Sequence, residues 1–503
     1  MNQEVLQDGR SSETSLVLLR LAAELTLKSR RTRAFFVDRL LRNVRDALAS
    51  TGVRYRVVST WGRVFVRVSS PTALPTLARV FGISSISPVE RVVPADIDAI
   101  VAAGTEVFQE EVAGRRFAVR ARRAGTHPFA SRDIEVRLGA ALLPHAAAVD
   151  LTHPEVTAQV EVRDERAYLF SRRIAGGGGL PLGVEGRAIA LISGGFDSAV
   201  AAWLMLKRGV ALDYVFCNLG GDAYERAVVQ VAKVLADEWS YGTRPRLHVV
   251  DFGEPLRALR ESVRPSYWQV VLKRLMYRAA TRVGAKTGAE AIVTGEAVGQ
   301  VSSQTLVNLR AISPAAGLPL FRPLLGFDKE EIIEKARRIG TAALSEQVRE
   351  YCAIAPGKPV TAASVERVTE EESKMDLRVV DDAVAAGKVL DLRSLSATDL
   401  VAPYLFAAEI PPDAVVFDCR PEAQYRAWHL RGAEHRDEWE LLRDYRRLDR
   451  ERTYVLYCAH GIQTAYLAEK MQQAGLEAYS FRGGVQALMQ YAKTKGLDPG
   501  YWR

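Results

Sequence analysis

Two short stretches of the sequence have the composition of a ligand-binding or reactive loop. The first is SGGFDS at 193–198. It follows the apolar run RAIALI and precedes a helical pattern, which predicts a strand, a glycine turn and a helix. Backbone N–H groups at such a helix start can hold a phosphate. The loop is not of the GxxxxGK[ST] type, because it lacks the lysine and is shorter. A glycine turn alone is more often structural, but the full string favours phosphate binding.

The second stretch is CAHGIQT at 458–464, where the strand pattern TYVLY delivers Cys458 to a loop that precedes a helical pattern. Amide groups that curl around a sulfur lower the pKa of the thiol and stabilise its anion. A lone cysteine at a strand end is usually buried and inert. The position between a loop and a helix favours a reactive thiol.

The other three cysteines are less distinctive. Cys217 and Cys419 lie inside apolar strand patterns, so we predict that both are core residues. Cys352 lies in REYCAIAPGKP (349–359), a polar stretch after a helical pattern. From its own surroundings it could be a packing residue, half of a structural bridge or part of the chemistry.

Length and composition limit the class of protein. At 503 residues, the chain predicts three or four domains of ordinary globular composition. No apolar run reaches the ~18 residues of a membrane span, and the polar N-terminus lacks the order of a secretion signal. Four cysteines without a CxxC pair argue against a zinc ribbon or a disulfide scaffold and favour a reducing cytoplasm.

The positive charge is concentrated before residue 180. Residues 16–80 contain 13 Arg and Lys against 3 Asp and Glu. Residues 115–137 add seven arginines against two acidic residues. Either this is a solvated basic face, or it is a module that binds a polyanion through fork-like phosphate contacts.

Periodicity predicts four α/β or α+β domains. Two small α+β layers occupy 1–68 and 69–174, and GGGG at 176–179 marks a boundary. Strands and helices then alternate over 175–395, which predicts a parallel sheet covered by helices on both faces. A second, smaller α/β domain is predicted over 403–503.

Three further segments complete a resemblance around the glycine loop. They are VVLKRLMYRAA (270–280), AIVTGEAVGQVSSQTLVNLR (291–310) and RPLLGFDKEEI (322–332). Together with SGGFDS they resemble the tRNA 4-thiouridine synthetase (ThiI) family, whose central domain is an ATP pyrophosphatase. The resemblance implies that Asp197 is a magnesium ligand or polarising group and that Lys329 lies near the leaving pyrophosphate. It also implies an ATP-binding set: Leu191, Ile192, Ser193, Gly194, Gly195, Ser198, Lys273, Gly295 and Gln304.

Both flanks resemble the same family. LAAELTLKSRRTR (21–33) resembles the start of its ferredoxin-like domain, and FAVRARRAGTHPFASRDIE (117–135) resembles its tRNA-binding THUMP domain. The implied tRNA contacts are Lys28, Arg120, Arg122, Arg123 and His127. Such residues around a turn suit recognition of a folded RNA by shape and phosphate.

The C-terminal part resembles a rhodanese domain, with Cys458 as its persulfide cysteine. Many rhodanese loops carry an arginine, whereas this one carries His460. That difference argues against thiosulfate:cyanide transfer and leaves sulfur received from a protein donor. The family places a second cysteine in an E-Y-C context, which matches Cys352. The resemblance therefore implies a transient Cys352–Cys458 disulfide, reopened by a reductant.

The expected activity is ATP- and Mg²⁺-dependent formation of 4-thiouridine at position 8 of tRNA, with sulfur from a cysteine desulfurase. A second role, as sulfur donor for the thiamine thiazole through a sulfur-carrier protein, is also implied. The alternatives are an ATP pyrophosphatase acting on a small metabolite and a sulfur carrier whose ATP site is vestigial. The basic N-terminal half argues against the first, and the intact SGGFDS string argues against the second. No metal ligand set is evident in the sequence.

Overall fold

The computed structural model describes residues 14–60, 62–219, 221–346, 348, 358–396, 405–459, 461–497 and 499–500. The chain divides into two compact units, Met1–Leu180 and Pro181–Arg503. None of the helices in the described part of the chain combines the length and hydropathy that a membrane crossing needs.

The first unit contains two α+β layers. Its elements are β1 (Ser15–Leu21), α1 (Ala23–Thr26), α2 (Arg30–Ser50), β2 (Tyr55–Thr60), β3 (Arg63–Val68), α3 (Leu74–Arg79), β4 (Ile83–Val89), β5 (Arg91–Pro94), α4 (Ile97–Val112), β6 (Arg116–Ala124), α5 (Ser131–Leu142), β7 (Ala148–Val149), β8 (Val156–Arg163), β9 (Arg166–Phe170) and β10 (Ile174–Ala175).

The first sheet of this unit has the strand order β10-β4-β1-β3-β2. Strand β4 pairs antiparallel with β1, so this sheet continues beyond residue 68, where the sequence pattern placed a boundary. The second sheet has the order β5-β9-β8-β6-β7. Asp164 adopts φ 50° in a tight turn that separates β8 from β9.

The second unit begins with a doubly wound α/β domain. Its elements are β11 (Arg187–Leu191), α6 (Phe196–Lys207), β12 (Ala211–Asn218), α7 (Gly221–Trp239), β13 (Arg246–Asp251), α8 (Gly253–Ser262), α9 (Trp268–Thr287), β14 (Ile292–Val293), α10 (Leu306–Ile312), β15 (Leu320–Phe321), α11 (Lys329–Ile339), α12 (Ala342–Ser345), α13 (Val365–Glu372), α14 (Arg378–Ala386) and β16 (Lys388–Asp391).

The sheet of this domain has the order β15-β14-β11-β12-β13-β16. Every neighbouring pair is parallel except β13 and β16, which pair antiparallel. Because parallel strands need helical crossovers, the core lies between the sheet and its helices, with α9 contributing most of one layer. This arrangement brings the loops after β11 and β14 to the same edge of the sheet.

The C-terminal domain is a second, smaller parallel sheet with the order β17-β22-β21-β18-β20. Its elements are β17 (Phe406–Ala407), β18 (Val415–Asp418), α15 (Glu422–Ala427), β19 (His429–Leu430), β20 (Glu434–His435), α16 (Glu438–Asp444), β21 (Thr453–Tyr457), α17 (Ile462–Gln473), β22 (Glu477–Phe481), α18 (Gly484–Lys495) and β23 (Pro499–Gly500). The multidomain α/β class predicted from the sequence is therefore confirmed.

Helices α13 and α14 are held to α9 by ion pairs of different burial. Glu372 accepts from Arg274 at 2.6 Å and from Arg278 at 2.8 Å, and the side chains of Glu372 and Arg274 are each 3% exposed. Asp381 accepts from Arg282 at 2.6 Å, but both partners are about half exposed. A buried charge that loses its partner is costly, whereas an exposed pair contributes little.

We predict that Glu372→Gln lowers the unfolding free energy of the doubly wound domain by about 3–5 kcal/mol, because Arg274 stays buried with a neutral partner. Asp381→Asn on the next helix is the matched control and should cost at most ~1 kcal/mol. Urea unfolding followed by tryptophan fluorescence measures both. Equal losses in the two variants would contradict the assignment.

Candidate functional site

The glycine loop connects β11 to α6 as the sequence pattern predicted. Gly194 adopts φ +79°, a conformation that side chains disfavour, and Gly195 caps α6 without a side-chain hydrogen bond. Ser198 closes the turn, accepting from the Ser193 N–H at 3.2 Å and donating to the Gly195 carbonyl at 3.0 Å. The first N–H groups of a helix have no partner within the helix, so this turn presents donors to an anion.

The loop after β14 approaches the start of α6 very closely. A Cβ atom added to Gly295 would lie 2.6 Å from the carbonyl carbon of Asp197 and 2.7 Å from the Ser198 nitrogen. Real Cβ atoms do not come this close to backbone, so only glycine fits at this position. The contact fixes the distance between the two loops that enclose the site.

A cavity of about 430 Å³ opens between these loops. Its size is that of a small-molecule site, and its wall mixes backbone donors, apolar side chains and the buried Oε1 of Gln300, which has no hydrogen-bond partner among the described residues. These features fit a nucleotide. Eight of the nine residues predicted to bind ATP line the cavity: Leu191, Ile192, Ser193, Gly195, Ser198, Lys273, Gly295 and Gln304.

Gly194 does not line the cavity. Its positive φ instead allows the backbone to make the turn. Cys217, which the sequence indicated as a core residue, is 6% exposed and packs in the main core, and it also borders the cavity. Gln304 is held in place because its Oε1 accepts from the Ala297 N–H at 3.2 Å.

Asp197 and Lys329, predicted as catalytic, form an ion pair. Lys329 Nζ lies 3.0 Å from Asp197 Oδ1 and 3.3 Å from Oδ2. Gln300, which sequence reasoning missed, donates to Asp197 Oδ2 at 2.9 Å. The pair therefore places one positive and one negative group beside the glycine turn, where a phosphate charge would develop.

In the wall of the cavity, Glu296 is a buried carboxylate that the sequence analysis did not single out. It accepts from Tyr277 at 2.5 Å, from Thr294 at 2.7 Å and from Arg322 at 2.8 Å, and Lys273 Nζ lies 3.8 Å away. Burial alone would raise the pKa of Glu296, but the charges of Lys273 and Arg322 outweigh it and lower the pKa. Glu296 is therefore ionised and holds Lys273 at the cavity wall.

Within the described residues, no group of three or more His, Cys, Asp or Glu side chains could hold a metal ion. Asp197 is the acidic residue of the glycine loop that borders the cavity. Mg²⁺ commonly binds through one or two carboxylates together with phosphate oxygens and water. A magnesium site made by Asp197 and a bound nucleotide is compatible with this composition.

Cys458 lies at the end of β21, where the loop turns into α17. Its side chain is 2% exposed. The sulfur accepts from the Gly461 N–H at 3.1 Å and from the Thr464 hydroxyl at 3.5 Å. Thr464 in turn contacts the Ser480 hydroxyl at 2.8 Å. One backbone N–H and one hydroxyl therefore donate to the sulfur, and donors of this kind stabilise a sulfur anion.

The remaining cysteines divide into two groups. Cys217 and Cys419 are both buried, as expected for core residues. Cys352 and the loop residue His460 lie outside the described residues. The disulfide between Cys352 and Cys458 therefore remains a prediction.

The predicted tRNA contacts lie in the first unit. His127 Nε2 lies 2.6 Å from the Asp164 carbonyl, and Arg123 contacts His127 Nδ1 at 3.3 Å, so both are fixed beside the β8–β9 turn. Arg120 is exposed and donates to the Leu151 carbonyl. Arg122 is exposed on the same strand, and Lys28 lies over the ring of Phe36 at 5.4 Å. Their contact with RNA remains a prediction.

Each part of the chain matches a known domain family. Residues 16–87 match the ThiI ferredoxin-like domain, 94–172 the THUMP domain, 183–377 the thiamine biosynthesis protein (ThiI) family and 405–490 the rhodanese-like domain. With the cavity and the buried thiol loop, this arrangement defines an ATP-dependent sulfurtransferase.

Full-length relatives narrow the class. A tRNA sulfurtransferase of Desulfurococcus amylolyticus is 39% identical over 93% of this chain and 97% of its own length. One of Yersinia enterocolitica is 36% identical over 91% and 98%, respectively. The chain belongs to the tRNA sulfurtransferase family.

Solved structures agree with this assignment. The crystal structure of a 4-thiouridine synthetase–RNA complex with bound ATP is 33% identical and superposes with a TM-score of 0.65, covering 75% of this chain and 99% of that one. The structure of PH1313 from Pyrococcus horikoshii is 27% identical with a TM-score of 0.52, covering 65% and 99%.

We predict that Gly295→Ala weakens ATP binding by roughly tenfold or more, because its methyl group would push the two loops apart. Gly326→Ala is the matched control, since a Cβ atom there meets nothing within 4 Å. Isothermal titration calorimetry with ATP measures both affinities. Equal affinity in the Gly295 variant and the wild type would show that the close approach does not shape the site.

Proposed function

We propose that this enzyme makes 4-thiouridine at position 8 of tRNA, with ATP and Mg²⁺, through a persulfide on Cys458. The observation that carries the proposal is the Asp197–Lys329 pair beside the glycine loop, at the edge of a nucleotide-sized cavity. The similarity to a 4-thiouridine synthetase that binds RNA and ATP supports the choice of product.

The first half of the reaction makes the uracil oxygen a leaving group. ATP supplies an activated α-phosphate, so that O4 gains an adenylate and pyrophosphate departs. The N–H groups of the glycine turn hold phosphate oxygens, and Lys329 stabilises the charge that develops on the departing group. Asp197 positions Lys329 and contributes to a magnesium site with the phosphates.

The second half transfers sulfur from Cys458. A cysteine desulfurase charges its thiol as a persulfide, which the Gly461 N–H and Thr464 hydroxyl stabilise. The terminal sulfur attacks C4 and AMP leaves, which gives a disulfide between Cys458 and the base. The thiolate of Cys352 then attacks the Cys458 sulfur, and the electron pair leaves with the thiolated base. Alternatively, the Cys352 thiolate first attacks the Cys458 sulfur of the persulfide and expels hydrosulfide, which then attacks C4 and displaces AMP. Either route ends in a Cys352–Cys458 disulfide, which a two-electron reductant reopens.

The rhodanese-like domain gives the enzyme a second proposed role as sulfur donor for the thiamine thiazole. Its parallel sheet and thiol loop have their own hydrophobic cores. A sulfur-carrier protein could therefore take sulfur from Cys458 without using the nucleotide cavity. This role needs the C-terminal domain more than the tRNA-binding half.

We predict that Cys458→Ser abolishes multiple-turnover formation of 4-thiouridine while leaving ATP affinity unchanged, because the sulfur atom and the nucleotide cavity belong to different loops. The assay combines unmodified tRNA, ATP, Mg²⁺, cysteine and a cysteine desulfurase, followed by nucleoside analysis by mass spectrometry. Cys419→Ser is the matched control, since this buried thiol lies in the core beside β18. Full activity of the Cys458 variant would refute the mechanism, and absence of product with the wild type would refute the proposed function.

We predict that Cys352→Ser, with an added thiol reductant to release the product sulfur from Cys458, completes a single turnover and then cycles poorly, because the chain itself supplies no second thiolate for this step. Single-turnover and steady-state yields are compared with a reductant present. Unimpaired cycling in this variant would rule out the role of Cys352.

A further inference from the structure

The two sheets of the first unit face each other across a small apolar layer. Leu16, Leu18 and Phe65 of the first sheet pack with Tyr168 and Phe170 of the second in one core cluster. The rings of Phe65 and Tyr168 lie 4.7 Å apart. The helices α4 and α5 cover the opposite face of the second sheet, where Ile134 and Leu138 pack.

Next to this apolar layer, one carboxylate lies among three arginines. Glu161 on β8 accepts from Arg63 Nε at 2.7 Å, from Arg163 Nε at 2.9 Å and from Arg20 Nη2 at 3.1 Å. Arg20 and Arg63 belong to the first sheet, and Glu161 and Arg163 to the second. We call these four residues the seam cluster.

The seam cluster contains more positive than negative charge. The side chain of Glu161 is 2% exposed, and those of Arg20, Arg63 and Arg163 are 6%, 15% and 22% exposed. Burial lowers the pKa of Arg20 to about 10, although Glu161 opposes the shift, so the guanidinium still carries its charge at neutral pH. One carboxylate thus faces three cations.

Two further arginines contribute positive charge near the seam cluster. Arg122 on β6 is the register partner of Glu161 on β8, so its side chain leaves the same face of the sheet. Its charge acts on Arg63, and the charge of Arg173 acts on Arg20. Arg173 donates to the Ser85 hydroxyl at 3.0 Å, which is a neutral partner.

Surplus charge of this kind is costly for an ion cluster whose purpose is only to join two sheets, since buried charges must be compensated. An anion supplied from outside provides that compensation. We propose that the seam cluster is a binding site for a backbone phosphate of the tRNA. Arg63 and Arg163, the more exposed members, contact the phosphate, and the buried Glu161 and Arg20 position them. The proposal rests on tRNA as the substrate of the proposed function.

A phosphate contact leaves a signature that a purely structural cluster does not. Each contact releases counterions, so the logarithm of the affinity falls with the logarithm of the salt concentration by about 0.9 per contact. Loss of one contact should reduce this slope by about one and weaken binding about 5- to 10-fold at low salt.

The experiment measures binding of fluorescein-labelled, unmodified tRNA to the full chain by fluorescence anisotropy over a series of KCl concentrations. We expect Arg163→Gln to show the weaker affinity and the smaller slope, and Arg163→Lys to retain most of both because it keeps the charge. Arg137→Gln is the matched control, since this arginine pairs with Asp98 on the helix-covered side of the sheet. Arg63→Gln repeats the measurement if thermal melting shows that Arg163→Gln does not fold.

Wild-type affinity and slope in a folded Arg163→Gln or Arg63→Gln protein would overturn the inference, as would equal losses in Arg137→Gln. Failure of the proposed function would give a different set of results. A wild type that binds tRNA with the expected salt dependence but forms no 4-thiouridine would refute the reaction and leave the seam cluster supported. A wild type that does not bind tRNA would refute both.

Discussion

The nucleotide cavity depends on one buried carboxylate, that of Glu296. Its hydrogen bonds join the strand end at Thr294, helix α9 through Tyr277, and the segment after β15 through Arg322. The same charge attracts Lys273 toward the cavity wall. Because these partners come from α9, from the end of β14 and from the segment after β15, Glu296 holds three parts of the cavity wall together. The contact of Gly295 with the start of α6 then sets the width of the cavity at its glycine loop.

Local features of both reactive loops could be predicted from the sequence, because each loop connects a strand to a helix and all three lie in consecutive residues. The glycine turn before α6 and the loop that carries Cys458 have the predicted form. Glu296 and Gln300 were missed, since their partners lie far away in sequence. Strand β14 spans only Ile292–Val293, and the chain then turns so that Gly295 lies against the start of α6, a contact that the local sequence does not reveal.

In the first unit, too, features set by neighbouring residues could be predicted from the sequence, and contacts between distant residues could not. Its basic character and its α+β patterns could be predicted from composition and periodicity. The surroundings of Glu161 could not, because two of its three counterions, Arg63 and Arg20, come from strands 98 and 141 residues earlier. Alternation along β8 does place Glu161 on the face opposite Val160 and Val162, but only the pairing of the two sheets shows what it meets there.

Strand β16 has a consequence for how such a chain could be assembled by gene fusion. It pairs antiparallel with β13 and completes the sheet of the nucleotide domain at Asp391. Nothing that follows residue 396 contributes a strand to that sheet among the described residues. A rhodanese-like domain can therefore be gained, lost or exchanged at this junction in evolution without leaving the sheet of the nucleotide domain unfinished.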